Sequence, residues 1–291
     1  MAFPFKPYPC QLAYMDKVVE TLDQGHNALL ESPTGTGKTL CLLVATLAWI
    51  QKRRPGNGSA SASGSGSGSG PGNGPKMTIK YENPSDMKLV KPMKPPVKVM
   101  GTTGPPGSGA SVSVIIYASR THSQLSQVIS ELRASGYTPK MTVMGSREQL
   151  CIHDKISKLK GAKLNHACNA SGAQRRCTFK NNLDTYTSSA GILDIEQLAE
   201  LGREDQVCPY FLSRQNVTSS ELVLLPYNYL IDASIRATLK IEWKDAIVIL
   251  DEAHNLEKIA SDASSFTLSS GDISACITVS VMLDLLFYIL C

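Results

Sequence analysis

Apolar residues recur along this chain with two different spacings, and their alternation predicts a sheet flanked by helices. Helical spacing marks four stretches, Gln11 to Gln24, Lys38 to Ile50, Thr121 to Ala134 and Ile192 to Leu201, and a helix is expected from Tyr227 onward. Short apolar runs predict five strands, Ala28 to Leu30, Val112 to Ala118, Met141 to Met144, Glu221 to Leu225 and Ala246 to Leu250. Strands that alternate with helices are typical of an α/β fold with a parallel sheet.

A glycine-rich loop separates the first predicted strand from the helix at Lys38. It reads Ser32-Pro33-Thr34-Gly35-Thr36-Gly37-Lys38-Thr39. Its glycines allow a tight turn whose amide N–H groups can face phosphate oxygens, aided by the positive end of the following helix. In such loops the lysine reaches the β- and γ-phosphates and the final hydroxyl holds Mg²⁺. Ser32 stands where the pattern usually has glycine, and Pro33 fixes the entry to the turn. The loop therefore predicts an ATP site with bound Mg²⁺.

Two carboxylates follow the last predicted strand. Ala246 to Leu250 leads directly into Asp251, Glu252, Ala253 and His254. The carboxyl ends of parallel strands face the ligand crevice, so these side chains are expected beside the phosphate loop. Asp251 would hold Mg²⁺, and Glu252 would orient or deprotonate the attacking water.

Two polar groups near these motifs each allow two interpretations. Gln11 precedes the phosphate loop, and its amide can donate to and accept from an adenine edge or simply start a helix. A polar segment follows the predicted strand at Val112 to Ala118, and the hydroxyl and guanidinium groups of its side chains suit phosphate contacts. Its candidate residues are Arg120, Thr121, His122, Ser123 and Gln124. The alternative is a helix cap at Ser119 or Thr121.

Four cysteines lie far apart between residues 147 and 214, a region without clean periodicity. Cys151, Cys168, Cys177 and Cys208 are separated by 16, 8 and 30 residues. Zinc sites usually contain closely spaced cysteine pairs, and none occurs here. Isolated thiolates from separate loops favour an iron–sulfur cluster, while zinc with His166 as a competing ligand and plain thiols remain alternatives.

Composition and charge add three constraints. The chain has 291 residues, 42% of them hydrophobic, and a net charge of +4, while residues 53–111 are rich in Gly, Ser and Pro and predict disorder. Basic side chains crowd residues 147–180, which suggests a nucleic-acid backbone as partner or else a solvated surface. Met1 to Cys10 lacks the apolar core of a signal peptide, and the apolar run Val281 to Cys291 is too short to span a bilayer, so we expect an intracellular protein without a membrane partner.

Six motifs occur in one order along the chain: SPTGTGKT, YASRTHSQL, GSREQLCIH, VCPYFLSR, LPYNYL and VILDEAHN. This series resembles the XPD-like iron–sulfur superfamily 2 DNA helicases, and within them the branch that regulates telomere elongation. The resemblance implies a RecA-like motor lobe that binds ATP through Gln11 and Ser32 to Thr39, with Asp251 to His254 as its DEAH box. It implies a [4Fe–4S] cluster on the four cysteines and contact of Arg120 to Gln124 with the DNA backbone.

The same resemblance carries expectations about cellular role and domain organisation. Family members unwind DNA with single-stranded segments in the 5′ to 3′ direction in the nucleus, in repair, recombination and telomere maintenance, where repair and replication proteins are possible partners. The implied units are a motor lobe in three pieces, an insertion, a cluster domain and an atypical tail. Their ranges are 1–52 with 112–146 and 215–270, then 53–111, 147–214 and 271–291.

One departure from the family pattern bears on activity. Family members continue into an arch and a second motor lobe, whereas this chain ends in an apolar run, which suggests a truncated gene product. We therefore expect the chain to bind ATP–Mg²⁺ but to hydrolyse it slowly, because a missing arginine from the second lobe costs ~10³ to 10⁵ in rate. The alternative function is a nucleotide- and DNA-binding module without turnover. The motor lobe is expected to pack separately from residues 147–214.

Overall fold

The computed structural model describes residues 3–33, 35–53, 114–187 and 191–290, and a parallel sheet lies at its centre. The described strands are β1 (Ile115–Ser119), β2 (Met141–Val143), β3 (Leu222–Pro226) and β4 (Ile247–Leu250). They lie in the order β2-β3-β1-β4, and Ile115 of β1 is level with Leu222 of β3 and Ile247 of β4. The prediction of an α/β fold with a parallel sheet is confirmed.

Helices precede, connect and follow these strands. They are α1 (Pro9–Gln24), α2 (Lys38–Arg53), α3 (His122–Ala134), α4 (Arg147–Leu150), α5 (Gly161–Ala173), α6 (Thr178–Asn181), α7 (Ile195–Glu204), α8 (Pro209–Asn216), α9 (Asn228–Ile231), α10 (Ala233–Ala237), α11 (Leu256–Ser264) and α12 (Ser270–Leu290). Short 3₁₀ segments lie at Ile156–Lys158, Asn182–Asp184, Val217–Ser219 and Ala253–Asn255. The expected helices around α1, α2, α3 and α7 are present, with ends shifted by up to three residues.

Alternate residues of the strands serve two different cores, because successive side chains point to opposite faces of a sheet. On one face, Ile115, Tyr117 and Leu224 pack with the apolar sides of α2 and α3. On the other face, Ile116 and Val223 pack with residues that follow β3. Both faces of β1 and β3 are thus buried, which explains their almost continuous apolar sequence.

The predicted strand at Ala28 to Leu30 is wrong. Residues 26 to 33 form no regular element, and the Leu29 side chain is 56% exposed. A strand needs a neighbour for its backbone hydrogen bonds, and no described strand pairs with the outer edge of β4. Three apolar residues between Asn27 and Glu31 also bury too little surface to hold the segment in place.

Residues 147–214 do not pack separately from the sheet and its helices, contrary to expectation. Leu150 of α4, Leu198 of α7 and Leu212 of α8 belong to the same hydrophobic core as β1 and α2. A hydrogen bond of 3.2 Å from the Thr142 hydroxyl to the Ser213 carbonyl links β2 to α8. Helices α4, α7 and α8 have only 4, 10 and 8 residues, and their apolar side chains are buried by joining the core beneath the sheet.

The structure describes the predicted tail, residues 271–291, almost completely, but hardly any of the predicted insertion, residues 53–111. The predicted disordered insertion lies outside the described residues except for Arg53, which ends α2 and pairs with Asp23 at 3.0 Å. The tail forms α12, whose apolar side chains Ile273, Ile277, Val279 and Met282 are exposed. Among the residues searched, which are those the structure describes, no helix is long and apolar enough to cross a membrane.

Candidate nucleotide site and thiol cavity

The phosphate loop is closed by hydrogen bonds among its own residues. Lys38 Nζ donates to the Ser32 carbonyl at 2.9 Å, and Thr36 Oγ1 donates to the Pro33 carbonyl at 2.9 Å. The Ser32 hydroxyl lies 2.8 Å from Thr36 Oγ1, so the serine that replaces the usual glycine contributes to the turn. Thr34 lies outside the described residues.

Glycine is required at two positions of this loop. Gly35 and Gly37 have φ angles of +79° and +67°, in the left-handed region that side chains disfavour. A Cβ on Gly37 would also lie 3.0 Å from the Gln11 amide nitrogen. Helix α2 begins at Lys38 directly after the turn, so its first N–H groups face the loop as a phosphate site requires.

Gln11 contacts the loop rather than standing apart from it. Its side chain is buried, its Nε2 donates to the Thr36 carbonyl at 3.1 Å, and its Oε1 accepts from the Tyr8 amide at 2.9 Å. Both ends of the amide therefore have protein partners. One N–H of Nε2 and one lone pair of Oε1 remain for a further partner such as an adenine edge.

The parallel sheet brings Asp251 to the start of α2. The Asp251 amide donates to the Ala118 carbonyl at 3.0 Å, which continues the pairing of β4 with β1 by one residue. Burial raises the pKa of the Asp251 carboxyl, and the nearby charge of Lys38 opposes this rise. Asp251 is thus near enough to Lys38 to feel its charge, and Tyr117 lies near both Asp251 and Thr39.

Tyr117 is a residue of this site that sequence reasoning missed. It lies on β1 with its hydroxyl buried and without a well-aligned hydrogen bond, close enough to Asp251 and Thr39 to interact with both. Burial, with the Asp251 charge, raises the pKa of the Tyr117 hydroxyl far above its usual value. A tyrosine in the middle of an otherwise aliphatic strand was the available signal, because a buried hydroxyl needs a polar neighbour.

Glu252 is held in a conformation that is unusual for its residue type. Its φ of 55° is left-handed, and its carbonyl accepts from the Asn255 amide at 3.1 Å and from Asn255 Nδ2 at 3.2 Å. Its carboxylate lies 3.2 Å from His254 Nδ1. Beyond these contacts, Arg120 Nη1 donates to Asn255 Oδ1 at 3.3 Å, and this bond joins the polar segment after β1 to the DEAH box.

The five candidate DNA contacts do not share one environment. Arg120, Thr121 and Ser123 are exposed. Thr121 also caps α3, because its hydroxyl accepts from the Gln124 amide at 3.3 Å, so the capping interpretation is confirmed for this residue. His122 is half buried near Gln149 and Glu196, and burial lowers the pKa of its imidazole. Arg120 and Ser123 are therefore the side chains best placed to meet a partner.

The four separated cysteines line one cavity, together with His153, Phe179 and Lys180. Burial raises the pKa of the Cys208 thiol to about 11 and also raises that of Cys151. His166 is not among the lining residues. Across the described ranges no three His, Cys, Asp or Glu side chains form a group that could hold a metal ion.

Cationic side chains cover the aromatic residues beside this cavity. The guanidinium carbons of Arg147 and Arg214 lie 4.4 Å and 3.9 Å from the centre of the Tyr210 ring. Lys180 Nζ lies 4.7 Å from the Phe211 ring. These contacts are favourable cation–π pairs, and they show that part of the basic character of residues 147–180 is structural rather than free for a partner.

Comparison with known proteins identifies the family to which the chain belongs. The DEAD_2 family matches residues 117–273, and the DEAD/DEAH box helicase family matches residues 8–168. This chain belongs to the DEAD/DEAH box helicases. A curated relative, "Regulator of telomere elongation helicase 1 homolog" of Oryza sativa subsp. japonica, is 44% identical over 284 residues, which is 94% of this chain and 26% of the relative. "Regulator of telomere elongation helicase 1" of Homo sapiens is 41% identical over 286 residues, or 94% of this chain and 22% of the relative.

A solved structure titled "XPD_Helicase" shares the fold, with a TM-score of 0.51, 18% identity, and coverage of 87% of this chain and 34% of that one. The chain therefore belongs to the DEAD/DEAH box helicase family, shares the fold of this XPD structure, and is similar in sequence to the regulators of telomere elongation. It spans about a quarter of the length of these curated relatives.

Proposed function

We propose that this chain is the first motor lobe of an ATP-dependent DNA helicase. One observation carries the proposal: Lys38 and Thr39 of the phosphate loop share a site with Asp251, which β4 delivers from more than 200 residues further along the chain. A glycine-rich turn alone is common in proteins. A turn of this kind that meets a carboxylate at the carboxyl end of a parallel strand is the arrangement that nucleotide hydrolases use.

Each residue has a defined role in this proposal. Lys38 exchanges its bond to the Ser32 carbonyl for the β- and γ-phosphates of ATP. Thr39 and Asp251 hold Mg²⁺, which neutralises charge on the phosphates when it is bound. Glu252 orients and deprotonates the attacking water, and His254 holds the Glu252 carboxylate in place through their 3.2 Å contact.

A nucleotide titration tests this site directly. A fluorescent ATP analogue should bind the purified chain in the presence of Mg²⁺ and lose affinity when EDTA is added. Gly191→Ala is a suitable control, because an added Cβ at this exposed residue meets no atom within 4 Å. Absence of Mg²⁺-dependent binding to a folded chain would exclude the proposed function.

We further propose that Cys151, Cys168, Cys177 and Cys208 hold a [4Fe–4S] cluster. The support is their common cavity and a donor set of four thiols, which is the ligand set that such a cluster uses. The raised pKa values of Cys151 and Cys208 mean that these thiols must lose protons on binding, so loading should release protons and weaken at low pH. Metal analysis of anaerobically purified protein distinguishes iron from zinc and from unmetallated thiols.

The polarity and cellular role are proposals that rest on the family. We infer 5′ to 3′ movement on DNA with single-stranded segments, a nuclear location, and work in repair, recombination and telomere maintenance beside repair and replication proteins. The names of the relatives associate them with telomere elongation. Binding to otherwise identical duplexes with a 5′ or a 3′ overhang, with Arg120→Ala as the comparison, tests whether the chain engages single strands through its exposed segment.

A further inference from the structure

We propose that Asn255 is a positioning residue that couples DNA contact at Arg120 to the conformation of Glu252. The inference rests on the proposed function, because it assumes that Arg120 meets DNA and that Glu252 acts on ATP. It concerns a residue outside the four letters of the DEAH box. The inference is supported by three hydrogen bonds that the side chain and the backbone amide of Asn255 make.

The first step is the strain at Glu252. A left-handed backbone is unfavourable for a residue with a side chain, so the conformation needs support from its surroundings. Both N–H groups that support the Glu252 carbonyl come from Asn255, at 3.1 Å from its backbone and 3.2 Å from its side chain. Asn255 therefore supports the strained peptide from which the Glu252 side chain projects.

The second step is the orientation of the Asn255 amide. An asparagine side chain has an oxygen that accepts and a nitrogen that donates, and only one orientation suits a given pair of neighbours. Arg120 can only donate, so its 3.3 Å contact requires Asn255 Oδ1 to face it and Nδ2 to face the Glu252 carbonyl. In the same orientation Nδ2 lies 3.0 Å from His254 Nε2. Arg120 thereby selects the arrangement that supports Glu252.

The third step is what a phosphate at Arg120 would do. Arg120 is exposed, and one guanidinium carries five N–H donors, so it can bind a DNA phosphate while it keeps its bond to Asn255. A phosphate contact would immobilise the guanidinium and, through it, the amide and the Glu252 peptide. DNA should therefore favour the conformation in which Glu252 and Asp251 are arranged for ATP–Mg²⁺, and nucleotide should favour DNA binding by the same factor.

The experiment measures this coupling without requiring turnover. The affinity of the full chain for a fluorescent ATP analogue with Mg²⁺ is titrated with and without a saturating single-stranded thymidine oligonucleotide. Wild-type protein should bind nucleotide about fivefold or more tightly with DNA, the lower end of typical coupling between two sites. Asn255→Asp keeps an acceptor for Arg120 but removes the side-chain donor to Glu252, so it should reduce this factor to below about two.

Two further variants complete the test. Arg120→Ala should also lose the coupling, because it removes the other partner of the bond between Arg120 and Asn255. The double variant should show no additional loss, because both substitutions interrupt the same chain of hydrogen bonds. Asn228→Asp is the matched control, since this exposed asparagine undergoes the same change in charge and should leave the coupling intact. Nucleotide affinity without DNA should change by less than about threefold in Asn228→Asp.

The outcomes separate this inference from the proposed function. Full coupling in Asn255→Asp or in Arg120→Ala overturns the inference, and so does a wild-type chain that binds ATP and DNA independently, which would leave the motor-lobe assignment in place. A wild-type chain that binds neither ligand overturns both. Loss of coupling in Asn255→Asp and Arg120→Ala, with retention in Asn228→Asp, supports the role of Asn255.

Discussion

Substitution of Gly202 by alanine should destabilise the thiol cavity, because this helical glycine makes the closest glycine contact in the described chain. A Cβ at residue 202 would lie 2.3 Å from Pro209 Cγ and 2.8 Å from the Val207 carbonyl oxygen. Carbon atoms pack at about 3.5–4.0 Å, so the proline must move by more than ~1 Å. Its ring has no alternative rotamer that gives way, and it begins α8 directly after Cys208. The displacement must therefore be shared by a cavity-lining cysteine.

The expected cost follows from two opposing contributions. Overpacking of a tight contact costs roughly 1–3 kcal/mol, and the rigid proline places this site at the upper end. Alanine regains ~1 kcal/mol because it favours helix more than glycine does. A net loss of ~2 kcal/mol corresponds to a fall in melting temperature of about 4–8 °C for a chain of this size. Iron content should fall with it, since the Cys208 amide is bonded to the Phe179 carbonyl across the cavity wall at 2.9 Å.

Differential scanning calorimetry and iron analysis on the same preparations measure both effects. Gly191→Ala is again the matched control, because it adds the same methyl group at an exposed position with no atom within 4 Å. Equal melting temperatures and equal iron contents for Gly202→Ala and Gly191→Ala would show that the contact between α7 and α8 does not hold the cavity together.

Three other predictions concern the two sites. Lys38→Ala should lose nucleotide affinity in a fluorescence titration, whereas Glu252→Gln should bind normally and lose hydrolysis; equal binding by both variants and wild type would contradict the assigned roles. Burial raises the pKa of Asp251 above its ordinary value of 3.8. Mg²⁺-dependent ATP affinity should therefore fall as pH decreases through this pKa, because a protonated carboxyl cannot hold the ion. The same pH dependence of affinity in wild type and in Asp251→Asn would disprove this. Cys168→Ser should lose iron by metal analysis, and full iron content in this variant would refute the cluster assignment.

The sequence predicted the central elements because their signals are local. Strands β1 and β3 appear as continuous apolar runs, since both of their faces are buried, and α3 appears through helical spacing with Thr121 as its cap. The same reasoning failed at Ala28 to Leu30, where a short apolar run was counted as a strand. Whether such a run becomes a strand depends on a neighbouring strand and not on its own residues.

In the candidate sites, too, contiguous motifs could be predicted and long-range contacts could not. The phosphate loop and the DEAH box are contiguous in sequence, and parallel-sheet geometry was enough to predict that Asp251 would meet Lys38. The roles of Tyr117 and Asn255 could not be predicted, because each depends on which side chains meet across 130 or more residues of chain. The shared core of residues 147–214 was missed for a related reason: short helices show little periodicity even where one side of each is buried.

Because the backbone of Glu252 is left-handed, stability and catalysis favour different residues at this position. Glycine would accept this conformation without strain and asparagine with less strain than glutamate, so either substitution should raise the melting temperature while it removes the carboxylate. Selection for a more stable protein would favour the exchange, and selection for ATP hydrolysis would forbid it. A library of variants at this codon, sorted once for thermal tolerance and once for hydrolysis, should therefore yield two sets of residues that do not overlap.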